Sequence, residues 1–397
     1  SAQLIAETQP SIAVLPFNPT GSDSDYLYFA DGITEDIISA LGRFSDIKVI
    51  SKNGVADFKG KDPKPSLIGK ELGVKYIVAG SIRKSSDRIR INVRLSSTDN
   101  NILLWSEQYD IEPSKIFSTQ DQITQRIAGT LIHRLASIQL SKIATKPPTT
   151  LEAYDLVLRG RELISRVTRS SNTQARILFK KAIELDPSYA SAYIGLGQVE
   201  LNAVTDGWSG DPKESLEKAE SYGLKAIQLD ENSSAAYTLL GNIYIHFGDY
   251  DQALNEMKRA IEINKSDPEG YIGLGTVQLW IGDIPQAINA FETAQQLGPN
   301  FSVTDSMTFG IAYFLAKRFE DAERILEKSL EKNNQHSYSR AMLAATYSKL
   351  GKLDAAAREA EAVKQLNPSF NHSVFGSLLK LASLREIISS SLANIGL

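Results

Sequence analysis

Small residues recur along the second half of this 397-residue chain at a nearly fixed interval. Gly241, Gly275, Gly310 and Ala344 step by 34, 35 and 34 positions, and each is followed twelve positions later by an alanine: Ala253, Ala287, Ala322 and Ala356. Each first member lies in an apolar run of helical period, such as Tyr237-Leu240-Gly241-Tyr244, and a second run follows, such as Ala253-Met257-Ala260. Two antiparallel helices nest only where their facing positions are small, so the spacing predicts helix pairs that meet at Gly or Ala. One pair cannot bury its apolar face alone. Neighbouring pairs must stack, which gives a superhelix with an extended concave wall. Pro187, Pro299 and Pro368 stand just past second helices, where proline ends a helix.

The pattern extends backwards with insertions. Gly160 and Ala175 are 15 apart, and Gly197 and Ala219 are 22 apart, the longer insertion centring on Thr205-Asp206-Gly207-Trp208-Ser209-Gly210-Asp211-Pro212. Six pairs over about 155–368 result, and they resemble the tetratricopeptide repeat. The resemblance implies an all-α superhelix over 151–370 that binds a protein or peptide in its groove. The apolar run Phe375-Leu378-Leu379-Leu384-Ile387-Ile388-Leu392, within 371–397, reads as capping helices over the open face of the last repeat. Trp208 in the insertion reads either as a contact anchor or as a side chain folded back on its own helices.

Residues 10–145 follow another pattern. Ser11–Phe17 reads as a buried strand, a helix is expected from about Asp31 to Arg43, Ile47–Ile50 as a second strand, and a short helix over about 65–73. Tyr76–Ile82, the strictly alternating Arg88–Leu95 and Leu103–Trp105 read as a meander, followed by a long amphipathic helix from about Ile116 to Gln139. The order β-α-β-α-β-β-β-α predicts an α/β domain with a mixed sheet, joined to the repeats by the stiff linker Lys146–Thr150. The fold class is thus two-domain α+β.

This half also resembles a known family. Pro10–Phe17, Tyr28–Asp36, Glu71–Ser81 and Leu104–Glu107 are similar to the TolB amino-terminal-like domain. That domain followed by tetratricopeptide repeats is similar to the C-terminal extension of bacterial class III adenylate/guanylate cyclases, and to an extension of some winged-helix regulators. The resemblance implies a non-catalytic regulatory module on a signalling effector. No cyclase domain with paired metal-binding aspartates is found in this sequence.

Candidate site residues come from the positions beside the small-residue face of each first helix. In register these are Gln198 and Asn202; Thr238, Asn242 and His246; Ile272, Thr276 and Trp280; Thr308, Ile311 and Phe314; Tyr338 and Ala345. The strip is mixed polar and aromatic and suits an extended peptide or a helix; the alternative is a groove left empty or covered by another part of the parent protein. Asn242 matches the asparagine that chaperone-tail-binding repeats use for a terminal carboxylate. Thr238 and Glu269 stand where the partnering cations would be expected, so that ligand is not expected. Arg88, Arg90 and Arg94, with Asn92, share one strand face and form either an anion or acidic-partner patch or a solvated sheet face. Asp31, Glu35 and Asp36 read as first-turn carboxylates that cap a helix, with a metal or acid–base site as the alternative.

The sequence argues against other classes. A net charge of −4 lacks the basic excess of a nucleic-acid binder. Absence of cysteine removes disulfides and thiolate chemistry and fits the cytoplasm, with the periplasm as the alternative. No apolar run approaches a membrane span. His133, His246, His336 and His372 are far apart, and the Gly195-x-Gly197 and Gly270, Gly273, Gly275 spacings lie in repeat helices without a P-loop lysine, so no metal, nucleotide or other cofactor is expected. A glycosyltransferase reading finds no catalytic pair. A small-ligand sensor, with its ligand between the sheet domain and the first repeats, is the second function class considered. Repeat arrays often self-associate, so a homo-oligomer stays open. The start Ser1-Ala2-Gln3 lacks Met and a signal-peptide pattern and reads as a processing boundary of a longer protein. The purified chain is expected to be predominantly helical by far-ultraviolet circular dichroism and to turn over no nucleotide; formation of cAMP from ATP by this chain would defeat the regulatory reading.

Overall fold

The computed structural model describes residues 11–19, 27–42, 47–61, 64–84, 88–99, 101–112, 115, 119, 151–297, 301–372 and 379–397. The expected helix over 116–139, the linker 146–150, Phe375 and Leu378 therefore lie outside the described residues, save for Thr119.

The N-terminal layer is a mixed sheet. Its strands are β1 (Ser11–Val14), β2 (Asn18–Pro19), β3 (Lys48–Ile50), β4 (Tyr76–Lys84), β5 (Ile89–Ser97) and β6 (Leu103–Ile111). The order is β3-β1-β4-β5-β6, with β2 alongside β4. β1 runs parallel to β3 and β4, while β5 is antiparallel to both β4 and β6. β1 is central, so Ile12, Ala13 and Val14 are fully buried and the strand is apolar without alternation. β5 is covered on one face only. Ile89, Ile91, Val93 and Leu95 point into the core while Arg90 and Arg94 point out. β6 is nine residues long and outruns the expected Leu103–Trp105, because each residue from Trp105 to Ile111 finds a partner on β5. Helix α1 (Leu27–Gly42) buries Ile33, Ile37 and Leu41 against the layer, and α2 (Pro65–Leu72) ends at Gly73 in the left-handed conformation (φ 66°).

Among the described residues, twelve helices from 151 to 366 form six consecutive pairs: α3 (Leu151–Ser165) with α4 (Arg169–Leu185), α5 (Ala190–Thr205) with α6 (Pro212–Leu229), and α7 (Ser234–Phe247) with α8 (Tyr250–Ile263). Then come α9 (Pro268–Ile281) with α10 (Ile284–Leu297), α11 (Val303–Leu315) with α12 (Phe319–Lys332), and α13 (Ser337–Lys349) with α14 (Leu353–Leu366). A last helix, α15, spans Ala382–Ala393.

The periodic glycines sit at the closest approaches. A Cβ added at Gly160 would lie 2.6 Å from the Phe179 ring, at Gly241 2.6 Å from Met257, at Gly275 3.1 Å from Phe291 and at Gly310 2.7 Å from Leu326. In each case the large side chain lies four positions after the periodic alanine of the second helix, so one turn of that helix drops into the space the glycine leaves. The insertion after α5 is absorbed by a turn through Gly207 (φ 68°) and by Asp211, whose side chain accepts the Glu214 N–H ahead of Pro212. Trp208 is half-buried, and its N–H returns to the Ala203 carbonyl.

Compactness divides the chain into two units, 1–249 with 255–267, and 250–254 with 268–397. The sheet layer thus belongs to one unit with the first repeats. In the second unit the terminal segment reaches the last repeat and the one before it. α15 packs across α11 and α13, the first helices of two successive pairs, and the Lys380 N–H donates to the Trp280 carbonyl at 2.7 Å.

Gly310→Val is expected to destabilise the chain by about 1–3 kcal/mol through overpacking against Leu326. Gly210→Ala, with nothing within 4 Å of the added carbon, is the control expected to leave the thermal midpoint unchanged. Equal midpoints for both variants would refute the nesting account.

Candidate partner-binding site

In the first unit, α1 docks on α3 through both apolar and polar contacts. Phe29 meets Tyr154 edge to face with centroids 6.1 Å apart, and the Leu158 methyls close over Gly32. Around this contact the side chains pair across the two halves. Tyr154 is 1% exposed and donates to Asp36 Oδ2 at 2.5 Å, with Arg161 Nη1 3.8 Å from the same carboxylate. Tyr28 donates to Asp155 Oδ1 at 2.6 Å and accepts from Arg159 Nη2 at 2.9 Å. Lys52 and Lys59 hold Glu35 and Asp31 at 2.8 and 2.5 Å. These side chains join α1 directly to α3.

This corrects the reading of Asp31, Glu35 and Asp36 as capping carboxylates. α1 begins at Leu27, one turn earlier than expected, and has no acidic residue in its first turn. The carboxylates are instead partners for cations and tyrosines outside the helix. Burial, and then the Asp36 charge, push the Tyr154 phenol well above its ordinary pKa, and burial with Asp155 does the same to Tyr28. Burial alone would raise Glu35, but Arg161 and Lys52 together hold it below its ordinary 4.5.

A second contact fixes the far edge of the layer. Ser266 Oγ, in the turn after α8, accepts the N–H of Val49 on edge strand β3 at 3.4 Å, and the Asn264 side chain lies over Gly42. A side chain thereby takes a hydrogen-bonding position that another strand would otherwise use.

The candidate wall residues divide between the units. In the first, Gln198 and Asn202 are half-buried on α5 and bonded to each other at 2.7 Å; Asn242 is half-buried and His246 exposed on α7. Thr238 departs from its expected role: it is 7% exposed, with its hydroxyl buried and without a hydrogen-bond partner. In the second unit, Thr276 is half-buried and donates to the Ile272 carbonyl of its own helix. Trp280 and Phe314 were expected to face a partner, yet they are 7% and 2% exposed, and Phe314 stacks edge to face on Phe319. Ile272, Thr308, Ile311 and Ala345 are buried as well. Tyr338, 43% exposed and beside Phe370, keeps an open face.

Arg88, Arg90 and Arg94 are exposed, and Arg90 is gripped in bidentate fashion by Asp110 of β6 at 2.6 and 3.2 Å, which raises its pKa. Asn92 turns to Ser81. His336 caps α13 by accepting from the Ser339 N–H, and His372 contacts the Leu397 carbonyl at 2.7 Å. Among the described residues no cluster of three His, Asp or Glu is placed to hold a metal ion, and no helix is long and apolar enough to cross a membrane.

Missing from the sequence reading were Tyr154, Asp155, Arg159 and Arg161. The available signal was that Tyr154 and Arg161 stand seven positions apart, on one face of a helix otherwise taken as repeat scaffold.

Comparison with known proteins agrees with this division. Residues 8–130 match the family described as HilA/YgeH-like transcriptional regulator, second domain. Tetratricopeptide-repeat families match residues 222–255, 241–279 and 313–374. A curated relative, a putative adenylate cyclase 3 of Rhizobium meliloti (strain 1021), is 36% identical over 232 residues, which is 58% of this chain and 40% of the relative. The chain thus spans well under half the length of that relative. Among solved structures, Pseudomonas aeruginosa PilF is 19% identical with a TM-score of 0.45, covering 55% of this chain and 93% of PilF. The Cut9–Hcn1 hetero-tetramer gives 19% and 0.47, covering 66% of this chain and 46% of the matched chain.

Two predictions follow from the junction. Tyr154→Phe leaves Asp36 without its buried donor and is expected to cost about 1.5–3 kcal/mol in urea unfolding; a change within error would mean the pair contributes nothing. Glu35 has a folded-state pKa below its unfolded one, so its contribution is fully present above about 4.5 and is lost as pH falls through the lower folded value. Amides of α1 and α3 are expected to exchange faster, relative to α5, as the medium is acidified below that point. An unchanged ratio down to about pH 3 would remove the ion pair from the account.

Proposed function

We propose that this chain is a non-catalytic regulatory module that binds a protein or peptide partner through its repeat helices and serves a signalling effector such as a nucleotide cyclase. The observation that carries the reading is the paired-helix repeat array with a half-exposed polar strip on its first helices: Gln198, Asn202, Asn242 and His246. Likeness to a putative adenylate cyclase over 58% of the chain supports the link to a cyclase. The sheet layer, with its TolB-like sequence runs and its match to the second domain of a transcriptional regulator, fits a part that relays a signal rather than one that performs chemistry. With such an effector the module works in the cytoplasm. The exposed arginine strip on β5 is a secondary contact for an acidic surface.

The test uses the effector itself. Full-length cyclase activity is measured with and without this chain supplied in trans, and binding is measured in parallel with Gln198, Asn202 and Asn242 changed to alanine together. The triple variant is expected to lose at least about tenfold in affinity with its thermal midpoint unchanged, since a few contact residues dominate binding. Undiminished binding would sink the assignment of the polar strip, and nucleotide turnover by this chain alone would sink the regulatory reading.

A further inference from the structure

The second unit shows what its inner wall accepts. α9, α11 and α13 are the first helices of three successive pairs, the helices that line the concave side of a repeat array. α15 lies against α11 and α13, and the residues just before it are tied to the end of α9. Lys380 donates its N–H to the Trp280 carbonyl, and the Leu381 side chain closes over Gly282, whose φ of 93° and missing Cβ leave room for it. Ile388 is 1% exposed, Leu392 is fully buried and Leu384 is half-buried. These three stand at i, i+4 and i+8, one stripe of a helix. The groove expected to be open to a partner is therefore filled, and it is filled by a short amphipathic helix.

That occupant is a poor helix by itself. It has twelve residues, no side-chain cap and no acidic residue in its first turn. Its last turns carry Ser389, Ser390 and Ser391, and two of these hydroxyls bond back to the Ile387 carbonyl. A helix this short does not persist undocked. Its order comes from the wall, so the wall supplies the recognition.

We propose that the inner wall of the second unit is a receptor for an amphipathic helix bearing large apolar residues at i, i+4 and i+8, and that α15 is its resident occupant, exchanged for a partner helix of the same pattern. This deepens the partner-binding reading by naming the partner's chemistry, and it rests on that reading. Being tethered, α15 competes at a high effective concentration, so a partner helix must bind more tightly than α15 or meet a chain in which α15 is weakened.

The probe is a fluorescent peptide of residues 379–397, titrated into the full chain and into the full chain carrying Ile388→Ser and Leu392→Ser. The variant is expected to bind the peptide at least about tenfold more tightly than the unaltered chain, since the tethered competitor is removed. A peptide carrying the same two serines is expected not to bind. Equal affinity of both chains, or binding of the serine peptide, would overturn the proposal. Dimers of the unaltered chain that exchange α15 between copies would also overturn it, because the wall would then serve self-association. If the variant does not fold, amide exchange on the unaltered chain decides. Amides of 382–393 are expected to exchange at least about tenfold faster than those of α13, as in a locally opening segment; exchange at the rate of α13 would make α15 ordinary core. None of these measurements uses the effector or the Gln198–Asn242 strip, so failure here leaves the broader reading standing, and failure of that strip leaves this one testable.

Discussion

Helix pairs in this chain can approach closely only because the facing position on the first helix carries no side chain or a methyl group. At Gly160, Gly241, Gly275 and Gly310 a large side chain from the second helix occupies the space that a Cβ would need. At these four the partner is four positions past the periodic alanine, so a two-residue motif sets both the distance and the rotation of the pair; Gly197 instead meets Leu239 of the following pair. Where the first member is Ala344, the corresponding position is Ala360, and the extra methyl on one side is matched by a smaller residue on the other. Each pair so formed keeps apolar surface of its own, which within a unit is left for a neighbouring pair to cover.

The first repeats have a different neighbour. Their leading helix, α3, meets α1 of the sheet layer through Phe29, Tyr154, Gly32 and Leu158, and a ring of charges and phenols closes the margin. The apolar centre supplies burial, while the polar margin fixes register: Tyr154 is buried and requires an acceptor, and Asp36 is placed to be one. The Ser266 hydroxyl on β3 adds a third point of attachment at the sheet edge. The sheet layer and the leading repeats therefore make one compact body, although composition and periodicity change sharply between them.

Both compact units use helices of their own chain to cover repeat surface. In the first, α1 covers α3; in the second, α15 covers α11 and α13. In the second unit the Lys380 N–H also reaches the Trp280 carbonyl, while Phe314 packs on Phe319 within its own pair; Trp280, Ile311 and Phe314, which periodicity alone placed on an accessible wall, are buried. The polar residues of α5 and α7, and Tyr338 on α13, remain accessible along the strip.

The repeat helices were legible because helix period and helix pairing leave local marks, and a glycine every thirty-four positions is one of them. The mixed sheet was legible from β-branched runs and from the alternation on β5, whose neighbours in space are also neighbours in sequence. The span of α1 from Leu27 was not, since its carboxylates resemble a first turn until their partners are known. Which surfaces remain open was decided by tertiary structure alone. Tyr154 with Asp36 joins positions 118 residues apart, and Ser266 with Val49 joins positions 217 apart. Burial depends on what folds back over a surface, and periodicity within one helix carries no information about which distant helix arrives there.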